Sequence, residues 1–234
     1  MRKIRLFFIA VIFFISAICV FFELAKSSAG EESEEDMTWI EEREKPIDEW
    51  VTYRYKTERG DKDFTADKKI IENRLKQIGM KYKVKAEEDG ILAISVRINS
   101  FSMSAFDVTG KGMLRLESEN GDLIIDYGDI KKAESQKYTV NGENQYQVGI
   151  TLTKIGADKF YTGTANNIGK RVDIIYDDQI ISSPVVQTGV SNGQFVITGM
   201  GGNELQAKVM AACISFGPLQ HDFYLIDDLF SDDM

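Results

Sequence analysis

Hydrophobic and polar positions change period several times along this chain of 234 residues, and each change marks an element. Residues 6–22 form one apolar run of 17 positions, thirteen of them Leu, Ile, Val or Phe, with Ser16 the one hydroxyl. From Trp50 the period is two. Val51, Tyr53 and Tyr55 alternate with Thr52, Arg54 and Lys56, the pattern of a strand with one buried face. Ile71, Leu75 and Ile78 fall at i, i+4 and i+7, which predicts a helix over 66–78, capped by Thr65 and stopped by Gly79. Alternation returns over 81–87, and Glu88-Asp89-Gly90 reads as a turn. Leu92, Ile94, Val96 and Ile98 then share the buried side of another strand, opposite Ala93, Ser95 and Arg97. A short helical piece is expected over 102–108.

Strand, helix, strand, turn, strand and helix open a ferredoxin-like β-α-β-β-α-β unit that still lacks its last strand. The pattern next predicts strands over 113–117 and 123–126, around the turn Glu119-Asn120-Gly121, and another over 146–152. A helix over 156–168 has Ala157, Phe160, Tyr161, Ala165 and Ile168 as its apolar positions. Residues 172–176 read as a buried strand, Asp177-Asp178 as its turn and 179–182 as the return, with Pro184 at an edge or a bulge. A strand over 195–198 precedes a helix over 204–216, with Leu205, Val209, Ala212 and Phe216 inward, Asn203 capping its start and Gly217 its end. A strand over 223–226 supplies the missing sixth element. The expected fold class is therefore α+β, with an N-terminal transmembrane helix before a ferredoxin-like base that carries an inserted α+β head. The divisions are an anchor over 1–29, an acidic linker over 30–48, the base over 49–111 and 218–226, the head over 112–217, and an acidic, frayed tail over 227–234.

The apolar run is long enough to span a bilayer and longer than the usual core of a signal peptide. Arg2, Lys3 and Arg5 precede it, and Glu31, Glu32, Glu34, Glu35 and Asp36 follow. That asymmetry puts the N-terminus in the cytoplasm and the rest outside, as a single-pass protein of the cell membrane. Ser27-Ser28-Ala29 has the small–x–small form of a signal-peptidase site, so a cleaved, secreted form stands as the alternative. Cys19 does not read as a lipid-attachment site, because bulky Ile18 precedes it.

Charge narrows the function. Residues 1–30 carry four of the 28 basic side chains and one of the 37 acids, so the remainder holds 24 and 36, a net of −12. A domain this acidic is a poor general ligand for nucleic acid. One His and two Cys exclude most zinc sites, and Cys19 and Cys213 are not expected to pair. His221 reads as a surface residue ahead of a strand, with no nucleophile elbow upstream. Gly199, Gly201 and Gly202 lack the spacing of a phosphate loop. The expectation is no enzyme, no metal and no cofactor. One local feature departs from the acidic background. Residues 66–85 hold Lys68, Lys69, Arg74, Lys76, Lys81, Lys83 and Lys85 against Asp67 and Glu72. The pattern suits a solvated face; it also suits a patch turned to anionic lipid headgroups or an acidic partner.

The second half carries an ordered series. Leu152-Thr153-x-x-Gly156-Ala157-x-Lys159-Phe160 is followed by Asn167-x-Gly169-Lys170-Arg171 and Ile174-x-x-Asp177. Ile181-Ser182-Ser183-Pro184-Val185-Val186, Ile197-Thr198-Gly199, Glu204-x-x-Ala207 and Gly217-x-Leu219 then come in turn. This series resembles the head of the large first periplasmic domain of the SecD family, membrane subunits that assist the Sec preprotein translocase. Asn73-Arg74-Leu75-x-x-Ile78-Gly79 resembles a segment in the base of the same domain. The resemblance covers about residues 50–226 and implies a ferredoxin-like base with an inserted head. The family's Gly-Leu-Asp-Leu-x-Gly-Gly stretch has no counterpart before Trp50, and its Gly-Ala-Leu-Pro is Gly217-Pro218-Leu219-Gln220 here. Family members also continue into further membrane helices with proton-linked machinery, which are not found in these 234 residues. The resemblance implies Sec translocase components and unfolded preprotein as partners, bound without covalent chemistry. The candidate contact residues are Pro184, Val185, Val186, Gln187 and Phe195, where strand edges and apolar side chains coincide. A cell-envelope scaffold or sensor that keeps the fold without a role in secretion is the alternative.

Overall fold

The computed structural model describes residues 49–57, 60, 62–98 and 108–231. The apolar run 6–22, the acidic linker and most of the helical piece expected over 102–108 lie outside them. Among the described residues no helix is long and apolar enough to cross a membrane.

The first sheet joins the two ends of the described chain. Strand β1 (Glu49–Thr57) is followed by helix α1 (Thr65–Ile78), β2 (Tyr82–Glu87) and β3 (Ile91–Ile98), and the chain returns at its far end as β11 (Phe223–Ser231). The order is β11-β1-β3-β2, antiparallel throughout. The period-two reading of β1 fixes its register. Val51, Tyr53 and Tyr55 lie opposite Val96, Ile94 and Leu92, and all six are buried. Ile71, Leu75 and Ile78 of α1 close the core above them. Burying each such aliphatic side chain contributes roughly 1.5–3 kcal/mol.

Between β3 and β11 the chain builds two more sheets. Strands β4 (Leu114–Ser118), β5 (Leu123–Ile125), β8 (Val172–Tyr176) and β9 (Gln179–Ser182) form one in the order β5-β4-β8-β9. Strands β6 (Ile130–Val140), β7 (Glu143–Leu152) and β10 (Gln194–Ile197) form the other in the order β10-β7-β6. Helix α2 (Lys154–Asn166), capped by Thr153, sends Phe160 into the second core.

Helix α3 (Glu204–Phe216) serves both cores. Val209, Ala212 and Cys213 join the first, and Ala207, Ala211 and Ile214 join the second. It packs against α1 and immediately precedes β11. Of the helical piece expected over 102–108 the described residues include Val108 alone, which lies in a turn. Helix α3 is apolar nearly all round because it is buried on two sides. Phe216, expected inward, is exposed at the helix end.

Strand β6 was not expected. Of its 11 residues only Ala133 is buried, so no alternation marks it. It pairs with β7 along its length, and Asn141-Gly142 closes the hairpin with φ of 51° and 85°. Positive φ at both turn residues is the geometry whose backbone twist matches the flanking strands. Strand β11 runs on to Ser231, paired with Trp50, where a frayed acidic tail was expected.

Candidate functional site

Arg74 is the most buried of the predicted site residues. Ile71, Leu75 and Ile78 fix the face of α1 that meets the core, and Arg74 lies on that face with no exposed surface. Its Nη1 donates to the carbonyls of Val108 and Gly110, both at 2.6 Å. Its Nη2 donates to Lys111 at 3.0 Å and to Gly217 at 2.6 Å. Residues 108–111 lead from the first core toward β4, and Gly217 ends α3 on the way back. One planar guanidinium thus holds both crossings with charge-assisted bonds. Arg74 is corrected from a surface cation to a buried clamp.

The other six cations of the run separate onto two sides of the first sheet. Lys68, Lys69 and Lys76 are on α1, and Lys68 pairs with Glu72 at 3.9 Å. In β2, Val84 turns into the core beneath α1, so Lys83 and Lys85 take the opposite side; Lys81, just before the strand, follows the same alternation. One continuous patch over 68–85 is not what the fold builds.

His221, read as a surface residue, is largely covered. Its Nδ1 lies 2.5 Å from Oδ2 of Asp67, whose side chain is 1% exposed, and Oδ1 of Asp67 accepts the backbone N–H of Gln220 at 2.6 Å. The imidazole ring sits edge-on to Phe64 and Phe223. This cluster ties the lead-in of β11 to the first turn of α1. Among the described residues, no group of three or more His, Cys, Asp or Glu side chains is placed to hold a metal.

The candidate polypeptide-contact residues fall into two environments. The backbone of residues 184–186 is engaged, since the Pro184 carbonyl accepts from Val172 and the Val186 N–H donates to Lys170. Val186 and Phe195 pack on the second core, Phe195 with its ring 5.3 Å from that of Phe160. Pro184, Val185 and Gln187 are exposed. Two further apolar side chains join this region. The Gly169 N–H donates to the Val186 carbonyl, which brings exposed Ile168 beside the segment. Exposed Tyr161 of α2 lies against Gly189. Both had been read as apolar positions of a helix. The helix stops at Asn166, which leaves Ile168 in the following loop.

Electrostatics around the second core are local. Glu204, in the first turn of α3, sits below the usual carboxylate range because Lys208 and then Tyr146 donate to it. Burial and the same carboxylate push the Tyr146 phenol up. The Lys159 ammonium, 2.9 Å from both oxygens of Asp129, is raised by that bond.

The stretch of chain that builds these two sheets and α3 matches a known family model. The model, described as SecDF, P1 head subdomain, covers residues 102–221, just over half of the chain. The chain belongs to this family. Among curated relatives, the protein translocase subunit SecDF of Thermus thermophilus is 38% identical over 73 residues, covering 31% of this chain and 10% of that protein. The protein translocase subunit SecD of Dictyoglomus turgidum is 29% identical over 133 residues, covering 56% and 32%. The chain thus spans a third or less of these SecD-family relatives. A solved structure described as a membrane component SecDF that enhances protein export aligns with a TM-score of 0.52. It covers 75% of this chain and 98% of its own at 20% identity, a likeness of fold.

Proposed function

We propose that this SecD-family chain assists protein export from an anchored, extracytoplasmic position, binding unfolded or translocating polypeptide or the Sec translocase. On this reading residues 6–22 cross the membrane with the N-terminus inside. The first sheet with α1 and α3 is a ferredoxin-like base, and the two-sheet body is the binding head. The observation that carries the reading is the family match over residues 102–221, whose relatives are translocase subunits.

The exposed apolar side chains Val185, Ile168 and Tyr161 support a contact surface beside Pro184 and Gln187. Such a surface holds polypeptide by covering apolar side chains. Covering a few of them gains a few kcal/mol, much of which offsets lost rigid-body freedom. The result is weak, reversible binding that biases a moving chain without covalent chemistry.

The test is a titration of the full chain, in detergent or nanodiscs, with a fluorescent unfolded polypeptide. Saturable binding in the micromolar range is expected, insensitive to ATP and weakened several-fold by Val185→Asp with Ile168→Asp. No saturable binding at high micromolar concentration would instead favour the scaffold or sensor reading.

A further inference from the structure

We infer that the side of the first sheet turned away from α1 and α3 docks on an anionic membrane surface. The inference rests on the proposed anchoring by residues 6–22. Register assigns that side to Trp50, Thr52, Arg54 and Lys56 of β1, to Lys83, Lys85 and Glu87 of β2, and to Ala93, Ser95 and Arg97 of β3. None of these side chains joins either core. The middle is made of short groups, with Thr52 Oγ1 hydrogen-bonded to Ser95 Oγ at 2.8 Å. The surroundings are long and cationic.

Charge complementarity selects the occupant. Arg54, Lys56, Lys83, Lys85 and Arg97 face the same way, with Lys81 extending the series, on a chain whose net charge is −9. One acid with a described side chain, Glu87, shares the side. Glu87 accepts from Arg54 at 3.0 Å. Lys56, Lys83 and Lys85 keep the described part of this side cationic. Lys83 Nζ lies 4.8 Å from the centre of the Trp50 ring. An indole beside an ammonium suits the bilayer interface, with the ring at headgroup depth and the cation on a phosphate. Thr52, Ala93 and Ser95 are buried beneath the surrounding long side chains, which leaves the cations of β2 as the outermost groups of this side. Only 27 residues separate Phe22 from Trp50, so an anchored chain keeps this face at high effective concentration near the bilayer.

Lysines on the outer strand β2 also discourage strand addition, a role any charge fills. Replacing Lys83 and Lys85 by Glu keeps that protection and reverses the attraction to anionic lipid, so the two roles separate.

The experiment uses the full chain with Trp39→Phe, which leaves Trp50 as the only indole. It is reconstituted in phosphatidylcholine vesicles with or without phosphatidylglycerol, and Trp50 quenching by headgroup-labelled lipid is read. Quenching is expected in anionic vesicles and should fall at high salt. It should also drop at least tenfold in K83E/K85E, since each lysine near an anionic surface is worth about fivefold in partitioning. Equal quenching in both vesicle types, none in either, or no change in K83E/K85E would overturn the proposal. So would an in-cell crosslinker near Trp50 that captures an acidic protein in place of lipid. Anchoring is read separately, by flotation with neutral vesicles. If that fails while flotation with anionic vesicles persists and is lost in K83E/K85E, the anchor reading falls and the docking face stands.

Discussion

Arg74 and Gly217 stand 143 residues apart in the sequence, yet the guanidinium of the first donates to the carbonyl of the second at 2.6 Å. The same group holds Val108, Gly110 and Lys111. The outgoing and returning crossings of the inserted body are therefore fastened to one point of α1. Helix α3, shared between the two cores, adds apolar packing to that fastening.

Removing the guanidinium leaves four carbonyls without their donor. A buried polar group left unsatisfied costs about 1–3 kcal/mol. Arg74→Leu should therefore destabilise the chain by about 3 kcal/mol or more, measured by urea unfolding. Arg74→Lys keeps the charge but loses the fork, and should recover only part of the loss. An unchanged midpoint in Arg74→Leu would show that the clamp is not needed.

Gly112 follows the clamped crossing with φ of 75°, and a Cβ built there would lie 2.2 Å from the carbonyl oxygen of Cys213. Strain and collision act together. Gly112→Ala should cost about 2 kcal/mol or more and lower the thermal midpoint by several degrees, followed by circular dichroism. A neutral substitution would mean that α3 can move aside.

Truncation after Gly217 removes β11, buried Leu219 and both described partners of Asp67, the Gln220 N–H and His221. It also leaves β1 with an open edge, a template for pairing between chains. The truncated chain should lose cooperative unfolding and aggregate on size exclusion. A monomer that melts as before would show that β11 is dispensable.

Topology has a direct test of its own. If residues 6–22 anchor the chain as proposed, with positive charge inside, protease added to intact spheroplasts should digest the folded part. Full protection would contradict the outward orientation, and a soluble form beginning at Gly30 would point to cleavage.

The lowered pKa of Glu204 sets a sign with pH. A carboxylate depressed on folding stabilises above its unfolded pKa, and that contribution disappears as pH falls through the folded value. The stability difference between the wild type and Glu204→Gln should be constant near neutral pH. It should vanish below the ordinary Glu range, when the bonds from Lys208 and Tyr146 lose their charged acceptor. Paired urea titrations over that range check it; a difference that grows on acidification would reverse the assignment.

The candidate contact surface was legible only where exposure follows from chain position. Pro184, Val185 and Gln187 lie outside regular strands and stay exposed, as a proline-bearing segment beside a strand suggests. Val186 and Phe195 share the same local composition but turn into the second core. Ile168 and Tyr161 were missed because an apolar position in a helical pattern reads as buried, and the early stop at Asn166 is what exposes Ile168.

The sequence by itself determined the elements whose signal is local. Alternation placed β1, β2 and β3, the i, i+4, i+7 stripe placed α1, and Asn203 marked the start of α3. These follow from the periods of strand and helix, which any short window contains. Tertiary structure decided the rest. Strand β6 shows no alternation because most of it lies open to solvent, and its register comes from β7 and the Asn141-Gly142 turn. Which helix packs beside α1 was settled by which one returns to the first core, a choice made across the whole insertion. The fate of Arg74 was decided the same way. In sequence it is one cation among seven; in the fold, carbonyls from residues 108–111 and 217 converge on it and offset the cost of burying its charge. Burial of a polar group depends on partners distant in sequence, and no local window contains them.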